Sequence, residues 1–133
     1  MMALDKLMEI STKQNPFVVK SKRLKKEAEE DKDTRLLFFY ISIYLDDNGS
    51  TGKSYLNYDD IEYVEYVLHP TFPDRYRVSK DREKKFEIRI WTYGFFSVKA
   101  KLFLRAGKIL EARGKVEFLV TQDEKNHNSG ELE

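Results

Sequence analysis

Residues 96–104 alternate without a break. Phe96, Val98, Ala100, Leu102 and Leu104 fall on one side of the run, and Ser97, Lys99, Lys101 and Phe103 on the other. Successive side chains of a strand point to opposite faces, so the pattern specifies a β-strand with one buried face. A helix would scatter the same residues around its circumference. Other runs repeat the theme. Phe86–Trp91 sets Phe86, Ile88 and Ile90 on one face, and in Ile61–Leu68 the set Ile61, Tyr63, Glu65, Val67 alternates with Glu62, Val64, Tyr66, Leu68. Leu36–Leu45 reads LLFFYISIYL, rich in aromatic and β-branched residues, and runs into a turn marked by Asn48-Gly49. Phe17 to Leu24 reads as a first strand. Ile109 to Val120 reads as a last one, entered through a tight turn at Ala106-Gly107-Lys108, with Gly114 placed for a bulge.

Six or seven short strands separated by turns predict an all-β fold, an immunoglobulin-like antiparallel β-sandwich. Its core is expected to contain Phe86, Ile88, Ile90, Val98, Ala100 and Leu102, and Trp91, the one tryptophan, is expected to join it. At the N-terminus, Ala3, Leu4, Leu7 and Met8 stand at helical spacing and predict a short amphipathic helix over residues 2–13, stopped at Asn15-Pro16. The block LKKEAEEDKDT (24–34) passes from basic to acidic and reads as a solvated loop or helical turn. From Thr121 the chain is polar and is expected to be disordered. The expected organisation is a helical extension over 1–16, a sandwich over 17–120 and a polar tail over 121–133.

Composition narrows the function. A length of 133 residues suits one domain with one core. With 24 basic and 23 acidic residues the net charge is +1, which argues against nucleic acid or an anionic membrane as a partner. There is no cysteine, so disulfides and thiolate metal sites are excluded. No apolar run reaches membrane-spanning length, and the first residues lack the apolar stretch of a signal peptide, so a cytoplasmic setting is expected.

Catalytic chemistry finds no constellation. The two histidines, one of them His127 in the tail, assemble neither a triad nor a metal site. Asp59 and Asp60 are adjacent where a loop meets a strand, which sends their carboxylates to opposite faces. Gly49–Ser54 imitates the end of a phosphate loop, but the position five before Gly52 is Asp47 rather than Gly. Asp46, Asn48 and Ser50 open like a calcium loop, without its later Gly and Glu. Lys20, Lys22, Arg23, Lys25 and Lys26 are followed at once by acidic residues and read as a solvated face. No cofactor is expected.

Two segments carry the remaining information. Leu68-His69-Pro70-Thr71-Phe72-Pro73 closes one strand, and Thr92-Tyr93-Gly94-Phe95-Phe96 links two others. Together they resemble the YEATS domain family, in which one strand ends in Leu-His-x-Ser/Thr-Phe and a later turn reads aromatic-Gly-x-Phe. The wording VEYVLHPTFP is closest to the prokaryotic branch. The resemblance is specific over residues 61–104 and extends more loosely over about 17–120.

The resemblance implies an immunoglobulin-like sandwich that reads acylated lysine, non-enzymatically, in an aromatic slot at one end. Its partner would be an acylated protein or peptide, and other protein subunits are possible partners. By motif position, Phe72 and Tyr93 would be the facing rings, and His69 and Phe96 further walls. Thr71 would bond the acyl-amide with help from the backbone at Tyr93. Thr92 and Gly94 complete the expected ligand-binding set. The chemistry is consistent: a neutral planar amide stacks on aromatic faces and still needs hydrogen-bond partners once desolvated. Gly94 is expected to let the chain turn tightly beside the ring. The chain departs from the family pattern at Thr92, where Gly is usual, and at Phe95, where a polar residue is frequent. Both departures favour an alternative, an immunoglobulin-like interaction or assembly domain with a closed slot.

Overall fold

The computed structural model describes residues 15–48 and 56–132. The helix expected over 2–13 and the phosphate-loop imitation at 49–54 lie outside the described residues. Eight strands follow one another: β1 (Val18–Arg23), β2 (Glu29–Glu30), β3 (Leu37–Asp46), β4 (Ile61–Val67), β5 (Tyr76–Ser79), β6 (Ile88–Thr92), β7 (Phe96–Leu104) and β8 (Ile109–Val116). One helix, α1 (Gln122–Leu132), follows them. The strands form two four-stranded antiparallel sheets. In the first, β3 pairs with β1, β2 and β6; the second runs β5-β4-β7-β8. This is the expected immunoglobulin-like sandwich.

The core comes from the strands whose alternation was plainest. Phe39, Ile41, Ile43 and Leu45 of β3 face Phe96, Val98, Ala100 and Leu102 of β7, all buried. Phe86 and Ile90 are buried as expected, whereas Ile88 is half-buried and packs at the edge of the core. Strand β4 uses the other of its two alternating sets. Val64, Tyr66 and Leu68 point inward, and so does Ile61, because the register to β7 shifts between Ile61 and Tyr63. One extra residue on the bulged strand resets its phase, so a one-period reading of 61–68 cannot place both ends. Tyr66 is fully buried, and its hydroxyl donates to the Phe86 carbonyl at 2.8 Å. Burial raises the Tyr66 phenol well above its ordinary range.

Gly114 is not a bulge. It stands in unbroken register opposite Val98. Its missing side chain is filled by β1: a Cβ there would collide with the backbone carbonyl of Val19. This close approach lets β1 and β8 meet across the sheet boundary, where the Ser21 hydroxyl donates to the Glu117 carbonyl (2.9 Å) and accepts from the Glu117 N–H (3.0 Å).

Three further elements differ from expectation. Strand β5 was not foreseen, and it pairs with β4 from Val64↔Ser79 to Val67↔Tyr76. Inside the acidic block, Glu29 and Glu30 pair with Phe38 and Leu37 as β2. The last strand stops at Val116, and the expected disordered tail is helix α1. No apolar stripe holds this helix, which explains why hydrophobic periodicity gave no signal. Polar anchors hold it instead. Arg23 makes a two-point pair with the Glu124 carboxylate, at 2.9 and 2.8 Å, and His127 Nε2 lies 2.8 Å from the Arg35 carbonyl.

Candidate ligand-binding site

The register of β4 and β7 decides where the two singled-out segments lie. Val67 stands opposite Lys99, so the chain leaving β4 runs alongside the start of β7. The turn 93–95 joins β6 to β7 at the same end. His69, Thr71, Phe72, Thr92, Tyr93, Gly94 and Phe96 therefore all line one cavity of about 640 Å3. It opens at the end of the sandwich, beside the edge strands β5 and β6.

Aromatic rings form most of its wall, each fixed by a neighbour. Phe72 tilts against Phe96 with ring centres 5.1 Å apart. Tyr93, 42% exposed, meets Phe38 edge-on at 5.5 Å. Phe95 meets Phe118 edge-on at 4.9 Å, and Phe118 lies 5.2 Å from the core ring of Phe39. Rings held this way offer stacking area without losing further side-chain freedom when something binds.

The polar groups are equally organised. The main-chain N–H of Thr71 donates to His69 Nδ1 at 3.3 Å, and the Thr71 hydroxyl lies 2.9 Å from the same nitrogen. The N–H is a donor, so Nδ1 serves as acceptor for both groups, and the hydroxyl proton is committed to it. The Thr71 oxygen keeps its lone pairs for another donor. The Phe72 N–H donates to the His69 carbonyl at 3.0 Å and closes the turn.

Thr92 does not close the slot. It is only 4% exposed, and its hydroxyl is folded back onto its own turn, donating to the Gly94 carbonyl (3.0 Å) and accepting from the Gly94 N–H (3.3 Å). The threonine thus builds the turn that carries Tyr93. Gly94 plays a different part from the one expected. It has no left-handed backbone, and a Cβ there would meet nothing within 4 Å. What its bare backbone preserves is open space at the mouth.

Sequence reasoning missed Phe38, Arg77, Arg89 and Trp91, which also line the cavity. Trp91 is half-buried rather than core, 5.0 Å from Tyr40 and with the Lys25 ammonium 5.2 Å from its ring. The signal existed: alternation that buries Ile90 turns Trp91 outward. Arg77 sits on the unforeseen β5. Helix α1 also reaches the site. The Asn128 amide accepts from the Leu37 N–H at 2.7 Å and donates to the Leu37 carbonyl and the Tyr93 carbonyl, each at 3.2 Å.

The sequence matches the family model of the prokaryotic YEATS domain (pYEATS) over residues 40–114. The chain belongs to the prokaryotic YEATS domain family. YEATS domains are recognition modules rather than enzymes. The matched segment contains β4 to β7 and every motif residue of the cavity. The fold is also that of solved YEATS structures. The Yaf9 YEATS domain recognising an H3K122suc peptide superposes with a TM-score of 0.53 at 15% identity, over 81% of this chain and 72% of that one. The Yaf9 YEATS domain bound to H3K27ac gives 0.53 at 16% identity, over 81% and 72%. The yeast AF-9 homolog protein Yaf9 gives 0.54 at 15% identity, over 78% and 66%. No curated protein matches the sequence. Among the described residues no helix is long and apolar enough to cross a membrane, and no cluster of metal-ligating side chains occurs.

Proposed function

We propose that this YEATS domain binds an acylated lysine side chain of a protein or peptide. The observation that carries the reading is the convergence of all seven motif residues on one open, ring-walled cavity. The flat acyl-amide enters between the faces of Phe72 and Tyr93, with His69 and Phe96 as flanking walls. Its N–H donates to the Thr71 hydroxyl oxygen, whose own proton is held by His69. Main-chain amide at Tyr93 serves the acyl carbonyl. Thr92 and Gly94 shape the turn and keep the mouth open. Yaf9 YEATS domains, solved with H3K122suc and H3K27ac peptides, share this fold and support the reading. An open cavity and an inward-folded Thr92 weigh against the closed-slot alternative.

The affinity is expected to be about micromolar or weaker, since a shallow stacking site offers one or two hydrogen bonds against the cost of ordering a peptide. The test is calorimetric titration of acetyl-lysine, crotonyl-lysine and unmodified peptides into wild type, Tyr93→Ala and Thr71→Ala. Only the acylated peptides should bind. Tyr93→Ala should cost about 1–3 kcal/mol, on the scale of aromatic stacking. Thr71→Ala should cost less, since water can replace a hydroxyl. Equal binding of modified and unmodified peptides would refute the reading.

A further inference from the structure

The cavity has a charge that an uncharged acyl-amide does not use. Two arginines line it, Arg77 from the edge strand β5 and Arg89 from the edge strand β6, and no carboxylate does. Each is anchored from behind. Arg77 Nε donates to the Asp74 carbonyl at 2.5 Å, with the Asp74 carboxylate 3.6 Å away, and Arg89 Nε donates to Glu87 Oε1 at 2.9 Å. A guanidinium fixed through Nε is oriented, and its terminal nitrogens remain available for a forked contact with an oxyanion. Glu87 is itself occupied, accepting from the buried Ser42 hydroxyl at 2.6 Å.

The surroundings of Arg89 extend the same sign. Lys22 and Arg89 stand on either side of Ser42 in one cross-strand row, so they share the outer face of the first sheet. Lys84 and Lys85 border a shallow groove with Lys22 and Arg89, in which the carboxylates are Glu83 and Glu87. On the far side of Phe38 and Trp91 the sign reverses, to Glu29, Glu30 and Asp31. The site is therefore polar across its width, and an anion is favoured only on the Arg77–Arg89 side.

We infer that the ligand of this cavity carries a carboxylate, placed against Arg77 and Arg89 while the acyl-amide lies in the aromatic slot. The inference rests on the acyl-lysine reading and narrows it. The carboxylate has two possible sources. It is either the far end of a dicarboxylic acyl group on the lysine or an Asp or Glu beside the modified lysine. A neutral ligand would partly desolvate both guanidiniums and give them no partner, whereas a carboxylate supplies charge-assisted hydrogen bonds in their place.

Four peptides decide it by calorimetry, three with neutral flanks and bearing acetyl-lysine, succinyl-lysine or unmodified lysine, and one with acetyl-lysine between glutamates. At least one of the two carboxylate-bearing peptides should bind about tenfold more tightly than neutral acetyl-lysine, and which one does identifies the source. The gain should shrink as salt is raised and should vanish in Arg77→Gln with Arg89→Gln, while neutral acetyl-lysine binding persists. If those variants melt early, the salt dependence in wild type decides the matter alone. Neutral acetyl-lysine binding as tightly as both carboxylate peptides overturns the inference and leaves the acyl-lysine reading intact. Unmodified lysine binding as tightly as acetyl-lysine overturns that underlying reading, and this inference with it.

Discussion

Asn128 of helix α1 donates to the main-chain carbonyl of Tyr93 at 3.2 Å. The same side chain brackets Leu37 at the start of β3, accepting from its N–H and donating to its carbonyl. A single buried amide thus ties the last helix, the central strand and the turn carrying the cavity's exposed ring. Asn128→Ala should remove all three bonds and leave two main-chain groups short of partners, at a cost of about 1–3 kcal/mol in stability. It should also weaken acyl-lysine peptide binding without touching the ligand. Denaturant melts and titration of one preparation check both. Unchanged affinity would show that the helix does not hold Tyr93 in place.

The helix should also respond to acid. Hydrogen bonding to Arg23, outweighing burial, holds the Glu124 carboxyl at about 2, with the Thr121 N–H helping. An unfolded glutamate titrates at about 4.3. A folded-state value below the unfolded one means that the contribution is complete above about pH 4.3 and is lost as pH falls toward about 2. Hydrogen exchange of residues 122–128 should therefore quicken through that interval, and Glu124→Gln should flatten the change. Protection that stays constant across the interval in wild type would contradict the assignment.

Glycine substitutions should separate two structural roles. Gly114→Ala drives a Cβ into the Val19 carbonyl and should destabilise the fold by about 1–3 kcal/mol. Gly94→Ala meets open space and should leave the melting temperature nearly unchanged. Thermal melts of the pair check this, and equal losses at the two positions would contradict it.

Tyr66→Phe should cost about 1–3 kcal/mol, because the Phe86 carbonyl then loses its hydroxyl donor in a fully buried setting. That carbonyl belongs to an unusual stretch. Lys85 and Phe86 both have φ of +56°, a left-handed conformation that non-glycine residues adopt only when their surroundings enforce it. The Phe86 N–H donates to Asp81, and its buried ring lies under the Arg82 guanidinium at 5.7 Å. Unfolding in denaturant checks the cost, and a variant as stable as wild type would show that the bond contributes little.

Period-two alternation made β3, β6 and β7 legible, because one face of each is apolar and the other is not. It could not reveal the bulge in β4, since both of its alternating sets contain large apolar residues. Strand β5 reads YRVS, too short and too polar to stand out, and it exists because β4 offers it an edge. Helix α1 was invisible because Arg23, Arg35, Leu37 and Tyr93, all distant in sequence, hold it. The motif residues of the cavity were legible through a family resemblance rather than through periodicity. Arg77, Arg89 and Trp91 needed the fold, because only the meeting of edge strands β5 and β6 brings them to the same opening.

The central claim is most directly tested by two-dimensional amide NMR of the domain during titration with an acetyl-lysine peptide and with its unmodified counterpart. The account predicts that the acetylated peptide shifts the amides of residues 69, 71, 72 and 92–96, and that the unmodified one does not. Shifts of equal size with both peptides, or shifts centred away from those residues, would contradict it.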